Sequence, residues 1–414
     1  MKARIHGGAE EVGRSCVELE AVGGDRLILD LGLPLSVEAD EAVVLPAING
    51  LRKVDPRLLG VVLSHGHPDH YGMIDAIPSD VPVYTGKATA EVLREASFFT
   101  PLGLDREPSG FLDDRRPCQI GPFTVTPFLV DHSAFDSYAL LVEADHRRLL
   151  YTGDLRAHGR KAGMFERLIH DGPRNINTLL LEGTSVGRTV ESDPLRELDV
   201  EERCSELFQA SAGMGLACYS PQNVDRFVSV YKAAVRSRRS LVIDLYGAAV
   251  AAATGNASIP QVDWSRIRVY VPQAQRRRVK DSDQFWRVNE LGTSRIFADD
   301  LAAAPDQWVM CFRQSMLREL DRAGCLHGAH AVWLMWAGYL DGAAGQLFRD
   351  SLASLGIDLT LVHASGHATV KDLQRLAAAI DAEKIVPIHT DTPERYSGLF
   401  DRVVLQSNEI WWGV

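Results

Sequence analysis

In Val61-Val62-Leu63-Ser64-His65-Gly66-His67-Pro68-Asp69-His70 an apolar run leads directly into three histidines and an aspartate. Imidazole and carboxylate at such close spacing, on a tight loop at a sheet edge, can converge on borderline divalent ions. A histidine-rich surface loop is the plainer alternative, but four potential ligands at these fixed positions favour metal. One loop cannot finish such a site, because each ion takes about four ligands and a catalytic ion keeps one position for water. Further donors follow other apolar runs: His132 in Leu-Val-Asp-His-Ser, Asp154 in Leu-Tyr-Thr-Gly-Asp-Leu and His389 in Val-Pro-Ile-His-Thr. Taken singly, a histidine after a strand is more often a hydrogen-bonded structural residue. Taken with the first cluster, these three complete a ligand set.

Short strands must carry these side chains. The first 190 or so residues read as apolar strands broken by Gly, Pro and Asp turns, among them Arg26 to Leu31, Leu58 to Leu63, Phe123 to Val130, Leu149 to Thr152 and Thr178 to Leu181. A helix is predicted near Ala88 to Phe99. From about Asp199 helix and strand alternate: Val224, Phe227, Val228, Tyr231 and Val235 form one helical stripe, followed by the strand-like Leu241 to Leu245. Strands are also predicted at Ile267 to Val271, Val309 to Phe312 and Val332 to Trp336, with a more polar, turn-rich stretch at 251–306. The end of the chain reads as strand Leu359 to His363, helix Val370 to Ile380 and strand Ile385 to His389. The expected organisation is a first domain in two pieces, 1–195 and 355–414, with an α/β domain inserted at 196–354.

Composition narrows the class. With 46% hydrophobic and 24% charged residues the chain is a globular protein, neither disordered nor fibrous. No apolar run approaches the roughly 20 residues of a bilayer span, and the start of the chain lacks the apolar centre of a signal peptide. The expectation is therefore a cytoplasmic protein with no membrane partner. Six scattered cysteines without a C-x-x-C pair speak against a disulfide framework or a cysteine zinc site, and are expected as reduced core residues. A net charge of −11 weighs against a broad basic nucleic-acid face, though two divalent ions would add about four positive charges at the site itself.

The series His65-x-His67-x-Asp69-His70, His132 and Gly-Asp154 resembles the successive motifs of the metallo-β-lactamase superfamily, and Asp30 in Leu-Ile-Leu-Asp-Leu-Gly resembles its first motif. The inserted domain and tail are similar to the β-CASP nucleases, whose three further motifs fall here on Glu182 (Leu-Glu-Gly-Thr), His367 (Ser-Gly-His-Ala) and His389 (Pro-Ile-His). The resemblance implies an αββα sandwich with an inserted α/β β-CASP domain. It also implies His65, His67 and His132 on one ion, Asp69, His70 and His389 on the other, and Asp154 between them. Zinc is the expected metal, with manganese the alternative. Asp30 is then expected to orient the histidine loop, since liganding imidazoles need a partner for their other nitrogen.

Two such ions, roughly 3.5–4 Å apart, suit activation of water as hydroxide and in-line hydrolysis of a phosphodiester. By resemblance His367 protonates the leaving oxygen, and Glu182 bonds His367 or a ligand without touching metal. In ribonuclease J, a member of this family, a similar His-x-Ser-Gly-His-Ala loop holds substrate phosphate, implying a phosphate pocket of His363, Ser365, Gly366, His367 and Ala368. A plain cap for the helix beginning near Thr369 is the alternative. Histidine at the last motif marks the RNA-processing branch, against valine in the DNA-repair branch. Segment Trp336-Ala-Gly338-Tyr-Leu-Asp-Gly342 also resembles a loop of that branch.

The expected function is a metal-dependent ribonuclease acting on single-stranded RNA, as an endonuclease, a 5′-to-3′ exonuclease or both. A DNA nuclease on the same scaffold and a catalytically silent RNA-binding subunit are the competing readings, and a homodimer or complex subunit is expected. Arg236, Arg238 and Arg239, and Arg276 to Arg278 with Lys280, could guide a strand but read more simply as solvated helix faces. Trp333, Trp336, Trp411 and Trp412 are expected in the core or an interface. Residues 251–306 add no motif to this resemblance.

Overall fold

The computed structural model describes residues 1–35, 44–188 and 194–414. They divide into two compact units, one of Met1–Pro194 with Gly366–Val414, the other of Leu195–Ser365. The chain leaves the second unit later than the expected return point at 355. Strand Asp358–Leu361, expected in the return segment, pairs in parallel with His330–Trp333 of the second unit's sheet, because its register continues that sheet residue for residue.

The first unit contains two sheets. One has the order Trp412–Gly413, Lys2–Gly7, Cys16–Glu20, Arg26–Leu29, Leu58–Val62, Val83–Gly86, Gly110–Leu112, and the other Lys384–Ile388, Thr178–Glu182, Arg147–Tyr151, Tyr138–Ala144, Phe123–Leu129, Cys118–Ile120. Leu19, Leu27 and Val62 from the first sheet pack with Phe123, Val142, Leu149 and Val386 from the second. Outside the first sheet, Ile28, Val61 and Leu63 meet Leu93 of helix Lys87–Phe99. Outside the second, Leu141, Leu150 and Leu179 meet Phe165 and Leu168 of helix Ala162–Asp171 and Leu373 and Leu376 of helix Val370–Ile380. The layers are thus helix, sheet, sheet, helix, the αββα sandwich. Burial on both faces explains why the inner strands read as unbroken apolar runs without alternation. All five residues of Thr178–Glu182 are buried.

Strand direction sets the site. Arg26–Leu29, Leu58–Val62 and Val83–Gly86 are mutually parallel, as are Arg147–Tyr151, Thr178–Glu182 and Lys384–Ile388. Phe123–Leu129 and Arg147–Tyr151 both run antiparallel to Tyr138–Ala144 and so share one direction. Several donors therefore sit one to three residues past the carboxyl ends of strands. Asp30, Gly153 and His389 turn the chain there with positive φ of 59°, 52° and 55°. In the left-handed region a non-glycine residue costs about 1–2 kcal/mol, a strain that the hydrogen bonds of Asp30 and His389 offset.

The second unit is one parallel sheet of seven strands, ordered Arg295–Ile296, Ile267–Tyr270, Ser240–Asp244, Trp308–Cys311, Gly215–Cys218, His330–Trp333, Asp358–Leu361. Helix Val224–Arg236 starts on an Asn223 cap whose side chain accepts from the Arg226 amide. The stretch 251–306 supplies the strand Ile267–Tyr270, the helix Gln273–Asp281 and the edge strand Arg295–Ile296. Arg239 is buried and donates to the carbonyls of Gly213 and Ser211, so it braces the fold instead of lining a surface. Arg236 pairs with Glu201 at 2.9 Å, while Arg277, Arg278 and Lys280 are exposed. Trp333 and Trp412 are buried as expected, but Trp336 is 53% exposed, because its segment leaves the sheet beyond the strand His330–Trp333. All six cysteines are free thiols, five of them buried. No described helix is long and apolar enough to cross a membrane.

Candidate metal centre

Three groups of donors converge in the first unit: His65, His67, His132 and Asp154; Asp69, His70, Asp154 and His389; and Asp154, Glu182, His367 and His389, with the donor atoms of each group within 4.8 Å of one another. Asp154 belongs to all three.

The ring nitrogens are aimed by their outer contacts. Buried Asp30 accepts from the Ser64 amide (2.6 Å) and hydroxyl (2.6 Å), from the Tyr151 hydroxyl (2.7 Å) and from His70 Nδ1 (2.7 Å). That leaves His70 Nε2 facing Asp154 Oδ2 at 3.3 Å. Ser64 Oγ lies 3.0 Å from His65 Nδ1, and the Gly366 carbonyl 2.6 Å from His132 Nδ1, so each ring directs Nε2 inward. Thr184 Oγ1 lies 2.8 Å from His389 Nδ1, whose Nε2 stands 3.2 Å from Asp69 Oδ2. Such partners fix both tautomer and ring plane.

The helix Pro68–Tyr71, which carries Asp69 and His70, is clamped through its backbone. Ser15 N–H donates to the Asp69 carbonyl, Leu31 N–H to that of His70 and Leu33 N–H to that of Pro68. A Cβ on Gly32 would lie 1.6 Å from the Asp69 carbonyl oxygen, so only glycine allows this approach.

Electrostatics separate the two halves. Burial, with mutual repulsion among the imidazoles, holds His65 and His132 well below the ordinary histidine range and brings His67 down to about 4. These three rings are neutral and present lone pairs. Burial also acts on His70, but the Asp154 and Asp30 carboxylates outweigh it and raise that ring well above its usual value. Asp154 is depressed despite burial by His389, His70 and His367, and Asp69 is held at about 2 by His70 and His389.

This donor set fits two divalent cations. His67 Nδ1 lies 3.2 Å from His65 Nε2 and 3.1 Å from His132 Nε2. A tetrahedral ion with metal–nitrogen distances of about 2.0–2.1 Å has ligand–ligand edges of about 3.3–3.4 Å. Three neutral nitrogens so close, each with its other nitrogen directed outward, suit one shared cation. On the other side, His70 Nε2 and Asp154 Oδ1 are fully buried and form no hydrogen bond among the described residues. Buried polar atoms without partners are costly unless an ion completes them.

His367 stands beside the cluster, its Nδ1 3.8 Å from Asp154 Oδ2 and 3.6 Å from Glu182 Oε2. Burial works against protonation there, but Asp154 and Glu182 outweigh it and raise the ring's pKa. Glu182 also accepts from the Thr184 amide at 3.0 Å and the Ala368 amide at 3.4 Å. The Ala368 N–H, expected to bind substrate phosphate, is thus directed at Glu182. Of the other residues expected in that pocket, Gly366 and His367 belong to the first unit, and His363 and Ser365 to the second. Thr369 caps helix Val370–Ile380, accepting from the Asp372 amide at 3.1 Å.

Sequence reasoning did not single out Ser64, Tyr151, Thr184 or Gly32. All four stood inside quoted motifs, Ser64 next to His65, Thr184 and Gly32 two residues from Glu182 and Asp30, and Tyr151 three from Asp154, which is the signal that could have found them. Tyr151 reads as an ordinary strand aromatic.

The sandwich has the metallo-β-lactamase fold, and residues 38–191 match the beta-lactamase superfamily domain. The chain is 26% identical to ribonuclease J of Mycobacterium tuberculosis (strain CDC 1551 / Oshkosh), over 92% of its own length and 67% of the relative's. It is 21% identical to ribonuclease J of Helicobacter pylori (strain ATCC 700392 / 26695), over 57% of this chain and 35% of that one. A crystal structure of a protein of unknown function from Enterococcus faecalis V583 has the same fold, with a TM-score of 0.80 at 22% identity over 99% of both chains. The chain is thus similar to the ribonuclease J proteins along most of its length, and to the beta-lactamase superfamily domain over residues 38–191.

Proposed function

We propose that this protein is a β-CASP ribonuclease that hydrolyses phosphodiester bonds of single-stranded RNA, using two divalent ions, zinc in the first instance. The observation that carries the reading is the pair of donor groups sharing Asp154, with the half-buried imidazole of His367 and the buried carboxylate of Glu182 beside them. The ribonuclease J relatives support RNA as substrate and nuclease as the activity, and the donor cluster supports its dependence on metal.

His65, His67, His132 and Asp154 would hold one ion, and Asp69, His70, Asp154 and His389 the other. When bound, such a pair supplies an activated water at neutral pH and neutralises charge on the phosphoryl oxygens. The protein's residues do the rest. Asp30 fixes His70, and Thr184 fixes His389, so the donors are set before substrate arrives. His367, whose pKa its carboxylate neighbours raise, donates a proton to the leaving ribose oxygen, and Glu182 positions it. His363, Ser365 and Gly366 remain candidates for a substrate phosphate.

The purified protein, loaded with Zn²⁺ or Mn²⁺, should cleave labelled single-stranded RNA, in endo mode, from the 5′ end or both. Cleavage of DNA alone would overturn the reading, as would two bound ions with no cleavage of either nucleic acid.

A further inference from the structure

The second unit has its own polar site, remote in sequence from the metal centre. In its parallel sheet the chain proceeds from Ser240–Asp244 outward to one edge, through Ile267–Tyr270 and Arg295–Ile296. From the adjacent strand Trp308–Cys311 it proceeds to the other edge, through His330–Trp333 and Asp358–Leu361. Connections leaving neighbouring strands in opposite directions open a crevice at their carboxyl ends, where open α/β sheets bind ligands.

Asp244 ends the first of these strands and Arg313 follows the second. Their side chains are paired, Arg313 Nη1 with Asp244 Oδ2, and Nη2 with Oδ1 at 3.3 Å. The Asp244 side chain is 1% exposed and that of Arg313 27%. Asp244 is further held by Gln275 Nε2 at 2.6 Å and the Gly247 amide at 2.8 Å. On the other side the Arg313 guanidinium lies 5.5 Å from the ring of Tyr246, whose hydroxyl accepts from Gln222 at 2.8 Å. Four adjacent strand ends thus fix one arginine. Among the described residues Asp244 is its only hydrogen-bond partner: Nη1 and Nη2 face the carboxylate, which leaves Nε and the outer Nη hydrogens as the edge that can meet a ligand.

We propose that Arg313, held by Asp244, reads a guanine base of single-stranded RNA, which rests on the ribonuclease reading above. A guanidinium fork matches the O6 and N7 acceptors of guanine in bidentate fashion, and bases of single-stranded RNA are free to present that edge. Charge decides between guanine and phosphate. The arginine is already paired with a carboxylate, so an approaching phosphate meets a neutral pair with Asp244 behind it, whereas guanine offers two neutral acceptors that need only directed donors. Asp244 acts as a positioning residue, and Arg313 as the reader.

The test compares cleavage of an oligoadenylate with the same oligonucleotide carrying one guanine at varied positions, by the wild-type protein, Arg313→Lys and Asp244→Asn. Circular dichroism and metal content check that the variants are intact. A good bidentate pair discriminates by about five- to a hundredfold. The wild-type kcat/KM should favour the guanine oligonucleotide by at least about fivefold at one position, and Arg313→Lys should bring the ratio to within twofold of one. Asp244→Asn should reduce the ratio partly, since asparagine offers only one acceptor to the fork. No guanine preference in the wild type, or a preference unchanged in Arg313→Lys, would overturn the proposal. Equal weakening on both oligonucleotides would overturn it too, assigning Arg313 to a phosphate. Binding of the same oligonucleotides by fluorescence anisotropy separates the two readings: a wild type that binds guanine RNA selectively but cleaves none refutes the ribonuclease and keeps the reader.

Discussion

At the scale of single residues, the proposed roles separate holding an ion from moving a proton. Asp69 and His389 face each other at 3.2 Å, while His367 approaches Asp154 no closer than 3.8 Å and has Glu182 at its side. Asp69→Ala is expected to bind one ion fewer by elemental analysis and to lose nuclease activity with it. His367→Ala should keep both ions and lose about 10²–10⁴ in turnover, the usual contribution of a positioned acid. An unchanged turnover in His367→Ala, or a full complement of metal in Asp69→Ala, would refute these roles. Asp30 tests the outer layer. It accepts four hydrogen bonds, one of them from His70, yet belongs to none of the converging donor groups. Replacing it with alanine frees the His70 ring and should weaken metal binding by about 10–100-fold, measured by competition with a chromophoric chelator.

At the scale of elements, the strands Lys2–Gly7, Cys16–Glu20 and Arg26–Leu29 are held by apolar packing and also by the carboxylate of Glu18, which is fully buried. Burial alone would raise that carboxyl, but hydrogen bonds from His6 (2.9 Å), Arg4 (2.6 Å) and Arg26 (3.1 Å) outweigh it and bring the pKa down to about 2. A group depressed in the folded state contributes stability that is complete above its unfolded pKa, about 4.3, and is lost as pH falls toward 2. The wild type should therefore lose thermal stability more steeply than Glu18→Gln between about pH 4.5 and 2.5. At neutral pH the variant should be less stable by about 3 kcal/mol, the linkage equivalent of a carboxyl held at about 2 instead of about 4.3, because His6, Arg4 and Arg26 lose the carboxylate they share, Arg26 keeping Asp55 at 2.6 Å. Parallel acid limbs in the two proteins would count against the network. Nothing in the sequence marked Glu18, since a charged residue in Cys-Val-Glu-Leu-Glu reads as the outward face of a strand. The inner strands were legible because burial on both faces makes them continuous apolar runs, and the converging donors because most of them follow such a run. The boundary near 355 was not, because which sheet takes up strand Asp358–Leu361 depends on pairing with His330–Trp333, a contact with no local signature. Asp244 and Arg313 were equally silent: they meet only when two strands 69 positions apart become neighbours.

At the scale of the whole chain, metal and folding are linked unevenly. The donors come from His65–His70, His132, Asp154 and His389, so the first and last parts of the first unit must both be in place for the site to exist. None of these donors belongs to Leu195–Ser365. A ligand that binds only the folded form stabilises it by RT ln(1 + [L]/Kd), about 2.7 kcal/mol when the free ion is at 100 times its Kd. That free energy falls on the first unit alone. Without the ions, the neutral imidazoles of His65, His67 and His132 crowd together, and His70 Nε2 and Asp154 Oδ1 stay buried without a hydrogen bond among the described residues. Chelation should consequently lower the midpoint of one calorimetric transition and leave the second where it was, and added Zn²⁺ should restore the first. Limited proteolysis assigns the transitions, since the fragment protected in chelator would come from 195–365. A uniform shift of both transitions, or none, would show that the ions do not hold the split unit together.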